Sequence, residues 1–458
     1  MRRESTEKTE VIARDATSDP WPSPARAWYA VFVFALSLLI NFLDRGIVAL
    51  LVEPIKRDLR LSDMQMSLVM GFAFVCFYVL LGLPIARLVD FKSRRAIIGV
   101  GVTIWSFMTA LCGLAQSFWQ LFVYRVGVGV GEACSGPATY SMLADLFPKE
   151  KLPRAIAALN FGFYAGTGLA LIIGGTVTQI LSNAPPVILP LIGALRGWQL
   201  TFFVVGLPGL LVAALMATVQ EPRRRGRLAF VSGGATKPVP IREILAFIRK
   251  NLATFAPIFI GMGLQVVMSF GVAIWAPAFY RRAFGWTPAE YGLVQGLITI
   301  AILPLGAIAG SMLAERFAKR GHDDANMRVV LFAKLASLPA TILFPLMPNA
   351  ALAIAVSAFG LFCLSWTVGP LNAALQIITP NQMRGQITAL YLFVFNVIGF
   401  GLGPTVVAMF TDYVFQAESQ IGFSLSTTTL ILGPLGALVI WLGMKPYGRS
   451  VAAARAWA

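Results

Sequence analysis

The run Asn41-Phe42-Leu43-Asp44-Arg45 sets a carboxylate beside a guanidinium inside an apolar stretch from about Trp28 to Val52. An ionised side chain near the centre of a bilayer costs about 2.5–3.5 kcal/mol, so such groups persist where they face a cavity and have partners. A second pair lies in Arg125-Val126-Gly127-Val128-Gly129-Val130-Gly131-Glu132-Ala133. Arg125 and Glu132 stand seven residues apart, about two turns, so one helix face carries both. These four residues offer proton and anion binding rather than bond making. A carboxyl in a low-dielectric cavity can take up and release a proton, and a nearby arginine competes for it. Asp44 and Glu132 are therefore the candidate proton carriers, and Arg45 and Arg125 the candidate partners of an anionic substrate. The bland alternative is a set of ion pairs that only pack a bundle.

Other chemistries find no support. The Gly-x-Gly-x-Gly run of 127–131 needs a preceding strand to bind a dinucleotide, and it lies mid-span. Cys76, Cys112, Cys134 and Cys363 sit in apolar segments without paired spacing and read as buried small side chains. His322 is the only histidine and falls in a loop. No catalytic residue, metal site or cofactor is expected, and a membrane-embedded lipid enzyme would lack its nucleophile. No Gly-x-x-x-x-Gly-Lys loop points to a nucleotide-driven pump.

The elements that must hold these charges are membrane helices. Of 458 residues, 57% are hydrophobic and 13% charged, and the mean hydropathy is +0.74. Soluble chains carry about 25% charged residues. Twelve segments are long enough to span about 30 Å of hydrocarbon: near 28–52, 64–90, 96–116, 118–147, 154–181, 198–220, 252–280, 288–315, 328–347, 350–378, 384–412 and 423–445. The net charge of +16 does not indicate nucleic acid, because its placement is one-sided. Of 37 Lys and Arg, six fall on one side, Arg45, Arg87, Arg125 and Lys334 lie in or near spans, and the other 27 share the opposite side. The basic side is the cytoplasm by the positive-inside rule. It holds both tails, 1–27 and 446–458, and the 221–250 linker, with eight bases against two acids. The first tail reads as disordered and carries no cleavable signal.

That linker divides two halves, 28–220 and 251–445. Leu61-Ser62-Asp63-Met64-Gln65-Met66-Ser67-Leu68-Val69-Met70-Gly71 is echoed by Trp286-Thr287-Pro288-Ala289-Glu290-Tyr291-Gly292-Leu293-Val294-Gln295-Gly296. Each enters the second span of its half. Pro148 to Arg154 is likewise echoed by Pro380 to Arg384. A six-plus-six repeat predicts a secondary transporter with its site between the halves. Gly162, Gly166, Gly168, Gly174 and Gly175, and Gly399, Gly401, Gly403 and Pro404, predict close helix packing.

Ala86-Arg87-Leu88-Val89-Asp90-Phe91-Lys92-Ser93-Arg94-Arg95 resembles the Gly-x-x-x-Asp-Arg-x-Gly-Arg-Arg loop of the major facilitator superfamily, with both glycines replaced. That resemblance implies a cytoplasmic gate of Asp90, Arg94 and Arg95. Arg125 fits the buried arginine of the superfamily's fourth helix. Asn-x-x-Asp-Arg, Arg-x-x-x-Gly-x-Gly-Glu-Ala and Ile274-Trp275-Ala276-Pro277 together resemble the Spinster family, over nearly the whole chain. The resemblance implies an all-α major facilitator fold of twelve helices in two six-helix halves, with helices 1, 4, 7 and 10 lining a cavity. It makes Asp44, Arg45, Arg125 and Glu132 the functional polar set. Asn41 and the neutral residues Gln265, Ser365 and Trp366 complete the expected substrate contacts. Animal members export sphingosine-1-phosphate or lysophospholipids. The expected cargo is thus an amphiphilic anion moved with protons by a monomer in the bacterial inner membrane. A small organic anion such as a sugar acid is the alternative.

Overall fold

The computed structural model describes residues 21–455, apart from 149, 190–192, 225–239 and 381 and the side chains of 83, 86, 90, 153, 160 and 189. Most of the expected first tail, half of the linker and the side chain of Asp90 thus lie outside the described residues. Among the described residues, eleven helical stretches are long and apolar enough to cross a membrane. The expected fourth span is met by two helices in tandem, each too short alone. In chain order the first half comprises α1 (Pro24–Leu50), the short α2 (Val52–Leu59), α3 (63–91, with a π-helical turn at Leu68–Phe72), α4 (Arg94–Cys112), α5 (Phe118–Glu132), α6 (Ser135–Leu146), α7 (Leu152–Ser182), α8 (Gly197–Gly206) and α9 (Pro208–Thr218). A hairpin of β1 (Val187–Leu189) and β2 (Gly193–Leu195) joins α7 to α8. The second half holds α10 (Ile241–Lys250), α11 (Leu252–Phe284), α12 (Pro288–Lys319), α13 (Ala325–Leu343), α14 (Ala350–Ser365), α15 (Val368–Ile377), α16 (Arg384–Met409) and α17 (Ile421–Ala454).

Two segments and two cysteines depart from expectation. The end of the linker is helical, as α10, with Ile244 buried and Ile241 and Leu245 exposed. The last helix runs on through the segment read as a tail, to Ala454. Cys76 and Cys134 are only half-buried, whereas Cys112 and Cys363 are buried.

The internal repeat has a local physical cause. Ser62 accepts from the Gln65 backbone N–H while the Gln65 side chain accepts from the Ser62 N–H, and Thr287 and Glu290 repeat that box. Each box satisfies orphan donors at a helix start. The repeat also places matching glycines at the two largest contacts between the halves. A Cβ on Gly71 would lie 2.1 Å from the carbonyl oxygen of Phe400, where α3 meets α16. One on Gly296 would lie 2.5 Å from that of Gly168, where α12 meets α7. Small residues there let backbones touch. Within the first half, Gly129 abuts the Phe74 carbonyl and Gly131 the Trp105 amide, which pins α5 between α3 and α4.

Candidate functional site

Between the halves lies a cavity of about 640 Å³. Aromatic and aliphatic side chains cover most of its wall, including Phe42, Phe74, Phe163, Phe270 and Phe395. Two cations break that surface, Arg45 from α1 and Arg125 from α5. Both come from the first half; the second half contributes neutral polar groups such as Ser269, Gln295 and Ser365.

The carboxylates stand behind the arginines, not at the wall. Asp44 and Glu132 are 1% and 2% exposed. The pairing crosses between helices. Arg45 donates to Glu132 Oε2 through Nε at 2.6 Å and Nη2 at 2.5 Å. Arg125 Nη1 reaches Asp44 Oδ1 at 3.3 Å, and Thr109 Oγ1 donates to Asp44 Oδ2 at 2.7 Å. Arg125 does not use Glu132, its neighbour two turns along the same helix. These bonds tie α1 to α5 twice and to α4 once. Two polar atoms in the set stay unpartnered, Glu132 Oε1 and Arg125 Nε. Aromatic faces surround Arg45: its guanidinium carbon lies 4.7 Å from the ring centre of Phe74, 5.4 Å from Tyr78, 5.7 Å from Phe400 and 6.0 Å from Phe42. A cation over a ring face is attracted by its quadrupole.

The remaining expected contacts divide. Ser365 lines the cavity while donating to the Phe362 carbonyl. Asn41 is buried in α1, and Trp366 packs on Phe362 and over Gly310; neither reaches the wall. Gln265 is also buried behind the wall, where it accepts from Lys334 at 2.9 Å. Arg94 binds Asp145 and the Ser141 carbonyl in the first half, and Glu221 and the Pro222 carbonyl at the start of the linker. Arg95 donates its backbone N–H to Glu221 and its side chain to the Ala217 carbonyl. In this conformation these arginines brace their own half. Burial pushes the Glu221 carboxyl up, but Ser93, the Arg94 and Arg95 amides and the Arg94 side chain together hold it below the usual carboxylate range.

Sequence reasoning missed a charge cluster at the opposite end. Arg282 at the foot of α11 holds Asp63 with Nη1 at 2.7 Å and Nη2 at 2.8 Å, and Glu53 with Nε at 2.7 Å. Lys56 also binds Asp63 and meets Glu418 at 2.7 Å, while Asp412 accepts the Met64 N–H at 2.7 Å. Among the described residues, every ion pair joining the halves belongs to this cluster. It seals that end of the cavity. The signal was present in Asp63 of the repeat and in Arg281-Arg282, just past the span expected over 252–280.

The chain is similar to known transporters along nearly its whole length. Residues 34–404 match the model of the Major Facilitator Superfamily. An MFS-type efflux pump of Mycolicibacterium smegmatis is 29% identical over 430 residues, 93% of this chain and 95% of that protein. Protein spinster homolog 1 of Xenopus laevis is 25% identical over 402 residues, 84% and 72% of the two chains. A crystal structure of a bacterial homologue of the human lysosomal transporter Spinster, inward-facing and unoccupied, superposes with a TM-score of 0.74 at 23% identity, covering 94% of this chain and 98% of that one.

Proposed function

This chain belongs to the Major Facilitator Superfamily and is a transporter of Spinster type, and from that premise we propose that it carries an amphiphilic anion across the bacterial inner membrane by proton-coupled alternating access. The observation that carries this reading is the asymmetry of the cavity. Two guanidinium groups meet a wall that is otherwise largely apolar. An anionic head paired with Arg45 and Arg125 leaves its hydrocarbon against the second half, as in a lysophospholipid or a sphingosine-phosphate-like lipid. A volume of about 640 Å³ falls within the usual range for ligand sites, about 300–1,000 Å³.

Coupling follows from the carboxylates behind those arginines. In this structure Asp44 and Glu132 neutralise the two cations. When an anionic head takes an arginine, the displaced carboxylate sits in a dry interior without a partner, and a proton is the cheapest compensation. Asp44 keeps Thr109 as a hydrogen-bond partner in either state, and Glu132 Oε1 has an unoccupied lone pair. Both termini are assigned to the cytoplasm by the basic loops. The sealed end is then extracytoplasmic and the cavity faces inward. The chain acts as a monomer in this scheme.

The test is thermal stability of the purified protein in nanodiscs against oleoyl lysophosphatidate and galactarate. A ligand at 100 times its Kd stabilises by about 2.7 kcal/mol. Lysophosphatidate should raise the melting temperature of the wild type, and Arg45→Gln should remove the shift. Stabilisation by galactarate alone would assign the site to sugar acids. Stabilisation by neither would refute an anion site. Asp44→Asn should bind lysophosphatidate without the proton uptake that accompanies binding to the wild type, read as a pH change in weak buffer.

A further inference from the structure

Lys334 of α13 is 3% exposed and, among the described residues, has no carboxylate partner. Its amine donates to the Gly261 carbonyl at 3.2 Å and to Gln265 Oε1 at 2.9 Å, both on α11. The site is shaped for it: a Cβ on Gly436 of α17 would lie 2.9 Å from Nζ. An intramembrane cation kept at such cost calls for a function. The hydrogen bonds continue from Lys334 toward the cavity. Gln265 Nε2 donates to Ser269 Oγ at 3.1 Å, one turn along α11, and Ser269 lines the cavity.

The polarity of this chain is fixed at its buried end. The amine donates here to both of its partners. It therefore turns the Gln265 carbonyl oxygen toward itself and the amide N–H toward Ser269. Ser269 Oγ must accept that bond, so its own proton is directed elsewhere. Among the described residues no acceptor meets that proton, and the cavity is the open direction. We propose that Ser269 is a donor subsite for an acceptor oxygen of the cargo, such as a phosphate or carboxylate oxygen, and that Lys334 and Gln265 are positioning residues that hold it in that polarity. Arg45 and Arg125 approach the same cavity from the first half, so an anion meeting both would bridge the halves. This inference rests on the cavity being the cargo site.

The test is equilibrium binding of radiolabelled oleoyl lysophosphatidate and galactarate to the full-length protein in nanodiscs. Ser269→Ala should weaken the probe that the wild type binds by about tenfold, the scale of one hydrogen bond to a charged group. Gln265→Glu keeps the shape and still satisfies Lys334, but its second oxygen accepts the Ser269 proton and turns it from the cavity. It should cost as much as Ser269→Ala, and the double variant should cost no more than either alone. A residue that merely packs predicts wild-type binding for Gln265→Glu. If Arg45→Gln abolishes binding while Ser269→Ala or Gln265→Glu stays within twofold of wild type, the subsite is wrong and the anion site stands. If the wild type binds neither probe, both fall together.

Discussion

Replacing Arg282 by Gln should open the sealed end. Arg282 is the hub of the ion pairs between the halves, and its side chain is 7% exposed while that of Asp63 is 0%. Breaking a buried pair by removing one partner costs about 3–5 kcal/mol, because a charge is left uncompensated. Lys56 remains beside Asp63, so the lower figure applies, about 3 kcal/mol. At about 1.4 kcal/mol per factor of ten, the ratio of open to sealed protein rises by more than a hundredfold. Moving a two-state protein from 99:1 to even populations takes about half of the 5.5 kcal/mol that full inversion needs. A wild type that is almost wholly sealed should therefore become roughly evenly mixed. Spin labels at Arg57 and Ser419 report the sealed end, and labels at Lys92 and Arg320 the opposite end; all four positions are exposed. The four native cysteines are first replaced. In Arg282→Gln the first distance should lengthen and the second shorten, in one correlated population. Unchanged distributions at both ends would show that the cluster does not hold the halves, and that the glycine contacts of α3 and α7 do.

Two further outcomes follow. Glu221 has a folded-state carboxyl held below its unfolded value of about 4.3, so it stabilises the α3–α4 turn above that value and the contribution is lost as pH falls through the lower folded value; amide exchange at Arg94 and Arg95, corrected for intrinsic rate, should rise below about pH 4 in the wild type and already be fast at pH 7 in Glu221→Gln. A Cβ on Gly292 would lie 2.3 Å from the Leu171 carbonyl oxygen, whereas one on Gly448 meets nothing within 4 Å, so Gly292→Ala should lower the melting temperature by several degrees, through about 1–3 kcal/mol of overpacking, and Gly448→Ala should not.

The central charges were legible in the sequence because hydrocarbon makes each of them costly. Their partners were not. Spacing puts Arg125 and Glu132 on one face, and adjacency puts Asp44 beside Arg45, yet each arginine pairs with the other helix's acid. Only the approach of α1 to α5 decides that. Asn41, Gln265 and Trp366 were polar or aromatic marks on helices whose apolar character runs all round, so periodicity gave them no direction; none meets the cavity. The cluster around Arg282 was illegible for the opposite reason. A charge at a helix end is cheap when water is near, so its sequence carries no warning. It becomes a buried network only when the halves meet. The twelve spans were readable from length and hydropathy, but the break between α5 and α6 inside the fourth was not expected; it falls where Pro137 can give no N–H to the Ala133 carbonyl one turn earlier.

The two central ion pairs are not equivalent, and the difference bears on which carries the coupling. Arg45 sits among four ring faces within 6.0 Å. If Glu132 were neutralised, those rings would still offset part of the cost of burying the cation, at about 0.5–2 kcal/mol per contact. Arg45 can therefore stay where it is through the cycle, linked across the halves by Phe400. Arg125 has one ring at 5.9 Å, a 3.3 Å bond to Asp44 and an unpartnered Nε. Without the Asp44 charge it has little reason to remain in place, and the cavity offers it an anionic head. Thr109 can hold Asp44 in either state, as donor to the carboxylate or as acceptor from the acid. In the proposed cycle Asp44 and Arg125 are thus the pair that exchanges a proton for cargo. Thr109→Val removes that second partner, so it should slow the proton-linked switch while leaving Arg45-dependent binding intact.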